Sequence, residues 1–404
     1  MSVEHASFVS PPGTTGLKAL PPLSLYVHIP WCVRKCPYCD FNSHEARGEA
    51  PEQDYVRALI ADLELALPQI WGRRVYSVFF GGGTPSLFSA RAIETLLDAF
   101  RARLNLAADA EITMEANPGT FESARFRDYR ASGINRLSIG IQSFDPAKLQ
   151  ALGRIHDDAE ARRAIGIAQA HFDNINLDLM YALPQQTLHE AGQDMDTALA
   201  FGTSHVSAYH LTLEPNTLFH RNPPPLPDAE TAADMQDMIE EKLAGAGFVN
   251  YETSAFARPG RECRHNLNYW RFGDYLGIGA GAHSKLSFHD RVIRQVRHKQ
   301  PRAYMQGVVA ESHVQQEHTV SRKDLGFEFM MNALRLTGGF ETALFAERTG
   351  LALTAVEQPL REAVQRGLIT RDHMRIAPTK RGQRFLNDLL QLFLPVGGND
   401  ATST

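Results

Sequence analysis

Leu25-Tyr26-Val27-His28-Ile29-Pro30-Trp31-Cys32-Val33-Arg34-Lys35-Cys36-Pro37-Tyr38-Cys39 is the stretch from which the fold can be read. Its first part is short, apolar and rich in β-branched and aromatic residues, as a buried strand is. Its second part sets Cys32, Cys36 and Cys39 within eight positions, although the whole chain has only four cysteines. In a reducing compartment such a group reads as metal binding before it reads as a disulfide framework. Three thiolates can hold three corners of a cubane iron–sulfur cluster, which leaves the fourth iron open to an exchangeable ligand. The competing reading is zinc, with His44 or His28 as a fourth ligand. Structural zinc usually takes four ligands, often in paired Cys-x-x-Cys units.

Outward from this loop, strand-like and helix-like segments alternate from Ser24 to about Ala257. Strands are expected at Leu25–Pro30, Val75–Phe80, Glu111–Glu115, Arg136–Ile141, Ile175–Met180 and Val206–Leu213. Helical spacing marks Tyr55–Leu67, Ala90–Leu104, Ala159–His171 and Asp228–Ala246. Such alternation implies a parallel sheet with helices outside. Six units are too few for an eight-fold barrel, so the expectation is a partial (β/α)6 TIM-like barrel, with an open six-stranded sheet as the alternative. The polar residues favour the barrel, because they fall at strand carboxyl ends, where α/β folds build their sites. Gly81-Gly82-Gly83-Thr84 follows the second strand, Glu115 and Asn117 close the third, Gln142 closes the fourth, and Asp178 interrupts the apolar fifth.

Residues 1–22 look like a flexible tail and 23–257 like the barrel. The proline-rich 222–227 reads as a stiff connector before the last barrel helix. Residues 258–320 form a connecting segment, and 321–404 read as a helical, winged-helix-like unit with a hairpin near 367–378. That unit carries eleven Lys and Arg against nine Asp and Glu. The whole chain has a net charge of −5. Neither balance favours nucleic acid as the partner. The first twenty residues lack a secretory pattern, and no apolar run approaches the ~20 residues of a membrane span. A cytoplasmic protein is expected.

Cys-x-x-x-Cys-x-x-Cys directly after an apolar strand resembles the signature of the radical S-adenosylmethionine (SAM) superfamily, with Tyr38 as its aromatic residue before the third cysteine. Gly81-Gly82-Gly83-Thr84-Pro85 resembles the element that meets the methionine amino group. Closer likeness is to the coproporphyrinogen dehydrogenase-like proteins, through Tyr26, Glu115 in Met114-Glu115-Ala116-Asn117-Pro118, Gln142, Arg154 in Leu152-Gly153-Arg154, and Asp178. The resemblance implies a [4Fe–4S] cluster on Cys32, Cys36 and Cys39. It also implies a SAM pocket lined by Tyr26, Tyr38, Gly82, Gly83, Thr84, Glu115, Gln142, Arg154 and Asp178. Carboxylates and an amide suit ribose hydroxyls and the methionine ammonium, and Arg154 suits the methionine carboxylate. One-electron reduction of such a cluster, from a donor such as a flavodoxin or ferredoxin, can cleave SAM to a 5′-deoxyadenosyl radical.

Two features choose a branch of this group. Authentic dehydrogenases carry a fourth cysteine two positions after the third; here that position is Phe41. His265-Asn266-Leu267-Asn268-Tyr269-Trp270 fits the His-Asn-x-x-Tyr-Trp pattern of the group's heme chaperones. The resemblance therefore implies a protein that binds heme at His265 and passes it to an acceptor hemoprotein, a respiratory membrane cytochrome among the candidates. Homodimerisation and delivery at the inner-membrane face belong to the same reading. The alternatives are an oxygen-independent coproporphyrinogen III dehydrogenase and a zinc-bearing, DNA-binding regulator. From its residues the His-Asn-x-x-Tyr-Trp segment serves equally well as a brace between the barrel mouth and the C-terminal unit. Cys263 is either a heme link or a small buried residue, and His283 could face the same cavity.

Overall fold

Six apolar segments form neighbouring parallel strands: β1 Leu23–Ile29, β2 Arg74–Gly82, β3 Asn105–Ala116, β4 Arg136–Gln142, β5 Ile175–Tyr181 and β6 His205–His210. The computed structural model describes residues 16–395 except 47, 49 and 119. The first fifteen positions of the expected tail and residues 396–404 lie outside it. In β1, Leu25, Val27 and Ile29 are buried on one face, and Ser24 and His28 are buried on the other. Burial on both faces is the mark of a parallel strand with helices outside and a filled interior.

The outer helices are α1 Glu52–Ile70, α2 Ala90–Arg103, α3 Thr120–Ser132, α4 Asp158–Gln169, α5 Leu188–Ala200 and α6 Ala229–Gly245. Side chains fix where several of them begin. Ser89 accepts from Ala92 N, and Asp157–Glu160 and Thr187–Glu190 form reciprocal capping boxes. In α2 the residues Ile93, Leu96, Leu97 and Phe100 make one apolar face and are fully buried against the sheet.

The sheet stays open and is longer than six strands. Beyond β6 it adds Ala255–Ala257 and then Val249–Glu252, both antiparallel. On the other side Asp274–Ile278 pairs in parallel with β1, followed by antiparallel His283–Ser287, Val292–Arg297 and Val314–Thr319. Residues 258–320 thus supply four strands to the same sheet, and two helices, Arg264–Trp270 and Pro301–Val309. α1 is fastened to this extension by a buried charge cluster. Asp62 accepts from Arg297, from the Tyr304 hydroxyl at 2.8 Å and from Gly279 N at 3.2 Å, and lies 3.1 Å from His313 Nε2.

The C-terminal unit has its own apolar core. Phe329 packs edge-on against Phe272, Phe340 and Phe345 at 5.7, 5.0 and 5.1 Å. Phe272 comes from the barrel side, so the two cores meet. The hairpin expected near 367–378 is present, as Ile369–Arg371 against Arg375–Pro378. After the hairpin come two helical pieces, Lys380–Arg384 and Leu386–Gln391, broken where Phe385 leaves helical dihedrals. After the break, Leu389, Leu390 and Phe393 are buried in the Phe329 core. Among the described residues no helix is long and apolar enough to cross a membrane.

Candidate functional site

The cysteine loop is stapled to its own stem. After β1, Trp31–Cys32 pairs in parallel with His44–Glu45, with His44 N donating to Pro30 O at 2.7 Å and Ala46 N to Cys32 O at 2.9 Å. Inside the loop, Cys39 N donates to Cys36 O, and the Lys35 ammonium reaches the carbonyls of Phe41 and Ser43. Cys32 is buried, and Cys36 and Cys39 are half-buried. Burial pushes the Cys32 thiol up to about 11; Thr84 and Ser43 hydroxyls oppose the shift, and the neighbouring cysteines add to it. Burial raises Cys39 likewise. Such thiols need the charge of a bound cation to become thiolates. Among the described residues no three His, Cys, Asp or Glu side chains gather as a single-ion site. His28, one candidate fourth ligand for zinc, has its Nε2 engaged with Asn42 O at 2.9 Å. Three thiols along one loop suit the donor set of a cubane with one open corner.

Glycine lets the next loop close over this one. Gly82 has φ +119°, and a Cβ there would lie 2.6 Å from the His28 ring. A Cβ on Gly83 would lie 2.6 Å from Trp31 O. Gly83 N and Thr84 N donate to Ile29 O and Trp31 O. Because Asn42 O can only accept, His28 Nε2 carries the proton, and Nδ1 accepts from the Tyr26 hydroxyl at 3.0 Å. Burial holds this imidazole neutral, with its pKa at about 4.

Four strand ends converge on the same mouth. Gly82 N donates to Glu115 Oε2 at 3.2 Å. Burial, then the Asp178 charge, lifts Glu115 to about 8 against that hydrogen bond. Asn117 donates to Thr84 Oγ1 at 2.9 Å and accepts from Arg154, which also donates to Gly140 O at 2.8 Å and points Nη1 at Cys36 Sγ, 3.8 Å away. Gly140 makes room, since a Cβ there would lie 2.8 Å from Asn117 Oδ1 and 2.9 Å from Gln142 Nε2. Tyr38 packs on Phe219, beyond β6, and Phe219 N donates to Pro37 O. Contact between the loop after β1 and the chain after β6 shows how far the sheet curls. Asp178 lies in β5, accepting from Ser138 and Asn176 at 2.7 and 2.8 Å. Burial raises its pKa against both bonds.

His265 lies below this group. Its helix, Arg264–Trp270, packs against the amino-terminal parts of β1 and β2, on the barrel floor, and its ring lies 6.3 Å from that of Tyr26. The imidazole is 2% exposed, stacked on Phe79 at 4.9 Å and edge-on to Tyr269 at 4.8 Å. Ser77 commits its proton to Ser24, so His265 Nδ1 donates to Ser77 at 3.0 Å and Nε2 keeps the lone pair, buried without a partner. Burial, then Arg136, lowers this histidine to about 3. Cys263 is buried with Sγ 3.6 Å from Glu111, and its pKa is pushed up to about 12 by burial. Trp270 lies under the Arg335 guanidinium of the C-terminal unit. His283 is exposed and near enough to His28 for its charge to act there, at the cysteine end.

Sequence reasoning missed Arg136, Thr113 and Asn42. Arg136 had a readable signal, a charge opening an otherwise apolar strand. Asn42, which donates to Ala280 O and Lys299 O, had none, because its partners lie more than two hundred residues away.

Residues 26–198 match the radical SAM superfamily, and residues 320–385 match the HemN C-terminal domain. The chain is 52% identical over 379 residues to the heme chaperone HemW of Escherichia coli K12, covering 93% of this chain and 99% of that protein. It is 47% identical over 381 residues to the heme chaperone HemW of Haemophilus influenzae, covering 93% and 98%. Among solved structures, the radical SAM coproporphyrinogen III oxidase HemN of E. coli superposes with a TM-score of 0.79 at 23% identity, covering 94% of this chain and 91% of that one. That likeness establishes a shared fold.

Proposed function

The chain belongs to the HemW family of radical SAM heme chaperones, and we propose that it holds a [4Fe–4S] cluster and SAM, binds heme, and hands the heme to an acceptor hemoprotein. The observation that carries the cofactor reading is one loop bearing three thiols, roofed by a glycine turn that no other residue could form. When bound, the cluster supplies an iron for SAM to chelate and an electron for the sulfonium. The chain's own residues position and screen. Cys32, Cys36 and Cys39 would ligate three irons. Gly82, Gly83 and Thr84 offer a backbone edge without side chains in the way. Glu115 and Asp178 are carboxylates for the ammonium and ribose hydroxyls, and Tyr26, Tyr38 and Gln142 line the same mouth. Arg154, already beside Cys36, gives a positive charge to a carboxylate.

At the position of the dehydrogenases' further cysteine stands Phe41, 61% exposed, which favours carriage over decarboxylation. For heme we keep His265 as the ligand. Its tautomer leaves Nε2 free to bind iron while Nδ1 is held by Ser77, the arrangement a ligating histidine ordinarily has. Because the ring is buried, heme would reach it only after the helix Arg264–Trp270 moves off the barrel floor. The acceptor in this reading is a respiratory cytochrome met at the inner-membrane face, the electron donor a flavodoxin or ferredoxin, and the compartment the cytoplasm.

Heme titration of wild type, His265→Ala and Ser77→Ala tests this. We expect one heme per wild-type chain, and loss of the bound-heme absorption band in His265→Ala. An unchanged stoichiometry and spectrum in His265→Ala removes the ligand role. Protoporphyrinogen formed from coproporphyrinogen III by the reconstituted protein would overturn the chaperone reading.

A further inference from the structure

Arg136 opens β4, and nothing in the proposed chemistry uses it. Its side chain is 2% exposed, its Nε is buried without a partner, and its guanidinium makes no hydrogen bond or ion pair among the described residues. A buried charge without hydrogen bonds is costly, and proteins ordinarily pair it. Cys263, Glu111, Tyr251 and Asp178 are near enough to act on it through space, yet none forms a hydrogen bond or ion pair with it.

Its neighbours share the deficit. Thr113 stands opposite Arg136 in the β3–β4 register, and its Oγ1 is buried without a partner. Phe79 stands opposite Thr113, and His265 stacks on Phe79 with its own Nε2 unpartnered. Arg136 is close enough to His265 for its charge to act on that ring. A cation, a hydroxyl and an imidazole lone pair therefore share one level of the barrel interior, with the Tyr26 and Phe79 rings beside them. Water could satisfy the hydrogen bonds, and Glu111 and Asp178 act on the charge only from beyond ion-pair distance. A carboxylate satisfies the bonds and meets the charge directly, and its two oxygens match the guanidinium fork.

We propose that Arg136 is the receptor for a ligand carboxylate admitted into the barrel lumen. Two ligands of the proposed function carry that group, the methionine carboxylate of SAM and the propionates of heme, so the choice of probes rests on that reading. Arg136 is distinct from Arg154, which the structure already ties to Asn117, Gly140 and Cys36.

Full-length protein, reconstituted without oxygen, is titrated with SAM, decarboxylated SAM, heme and heme dimethyl ester, as wild type and as Arg136→Met. The expected result is that Arg136→Met weakens one acid by about tenfold or more, the size of a charge-assisted pair, and leaves its carboxylate-free counterpart unchanged. The acid that weakens identifies the source. Wild-type affinity for both acids, or equal weakening of an acid and its counterpart, overturns the inference alone. Wild type that binds neither acid overturns the proposed function and this inference with it. If Arg136→Met fails to fold, Arg136→Lys replaces it with the same readout, since it keeps the charge and loses the fork.

Discussion

Glu115 is a carboxyl whose environment moves it far from its chemistry in water. Its carboxyl sits at about 8, chiefly from burial and then from Asp178. Between the ordinary carboxylate range and 8, the folded chain keeps this proton and the unfolded chain gives it up. Unfolding then releases a proton, so stability falls as pH rises through that window, by at most about 1.4 kcal/mol per pH unit. Above 8 both states are ionised and the slope ends. Asp178 is raised as well, so the useful quantity is the difference between wild type and Glu115→Gln. Urea unfolding from pH 5 to 9 should show a shallower decline for the variant; identical slopes would contradict the assignment. A cationic ligand beside Glu115 should expel the proton, and SAM should accordingly bind more tightly toward pH 8. At this scale the sequence was legible where chemistry is local. Cys32, Cys36 and Cys39 announce themselves by spacing, and Gly82 by type. The reason for Gly82, the His28 ring behind it, needs the pairing of β1 with β2.

Among the elements, α1 has the most exposed mechanical role. Asp62 joins it to strand Val292–Arg297, and Tyr55 bridges His28 O and Ala280 N at 2.8 Å each. Burial alone would raise Asp62; Arg297 and then His313 hold it below the ordinary range. Its stabilising effect is therefore full above that range and is lost as pH falls through the lowered value. Asp62→Ala leaves Arg297 buried and uncompensated, which should cost about 3–5 kcal/mol in urea unfolding. A loss below 1 kcal/mol would show that the cluster is not what fastens this edge. None of this was legible beforehand. Asp62 reads as one more helix charge until Arg297 and His313 arrive from the far end of the chain. The helix Arg264–Trp270 teaches the same point. Its motif was visible, but its position at the barrel floor, away from the cysteine loop, depends on packing against β1 and β2.

Across the whole molecule, the strand–helix alternation predicted the six-stranded parallel core, because each unit is written in consecutive residues. The extension from Asp274 to Thr319 was not foreseen. Its strands are short, and Asp274, Lys285 and Arg297 place charges inside them that mask the apolar pattern. Those charges are paired only in the folded chain, where Lys285 meets Asp274 at 2.9 Å and Arg297 meets Asp62 of α1 at 3.0 Å. Cofactor binding depends on the loop that the curled sheet holds above Tyr26 and Glu115. Anaerobic reconstitution with iron and sulfide, followed by metal analysis and electron paramagnetic resonance of the reduced protein with and without SAM, tests it most directly. We predict about four irons and four sulfides per wild-type chain, a reduced-cluster signal that SAM perturbs, and loss of both in a variant with Cys32, Cys36 and Cys39 replaced by serine. Equal iron and sulfide in wild type and that variant, or a cluster signal indifferent to SAM, would contradict it.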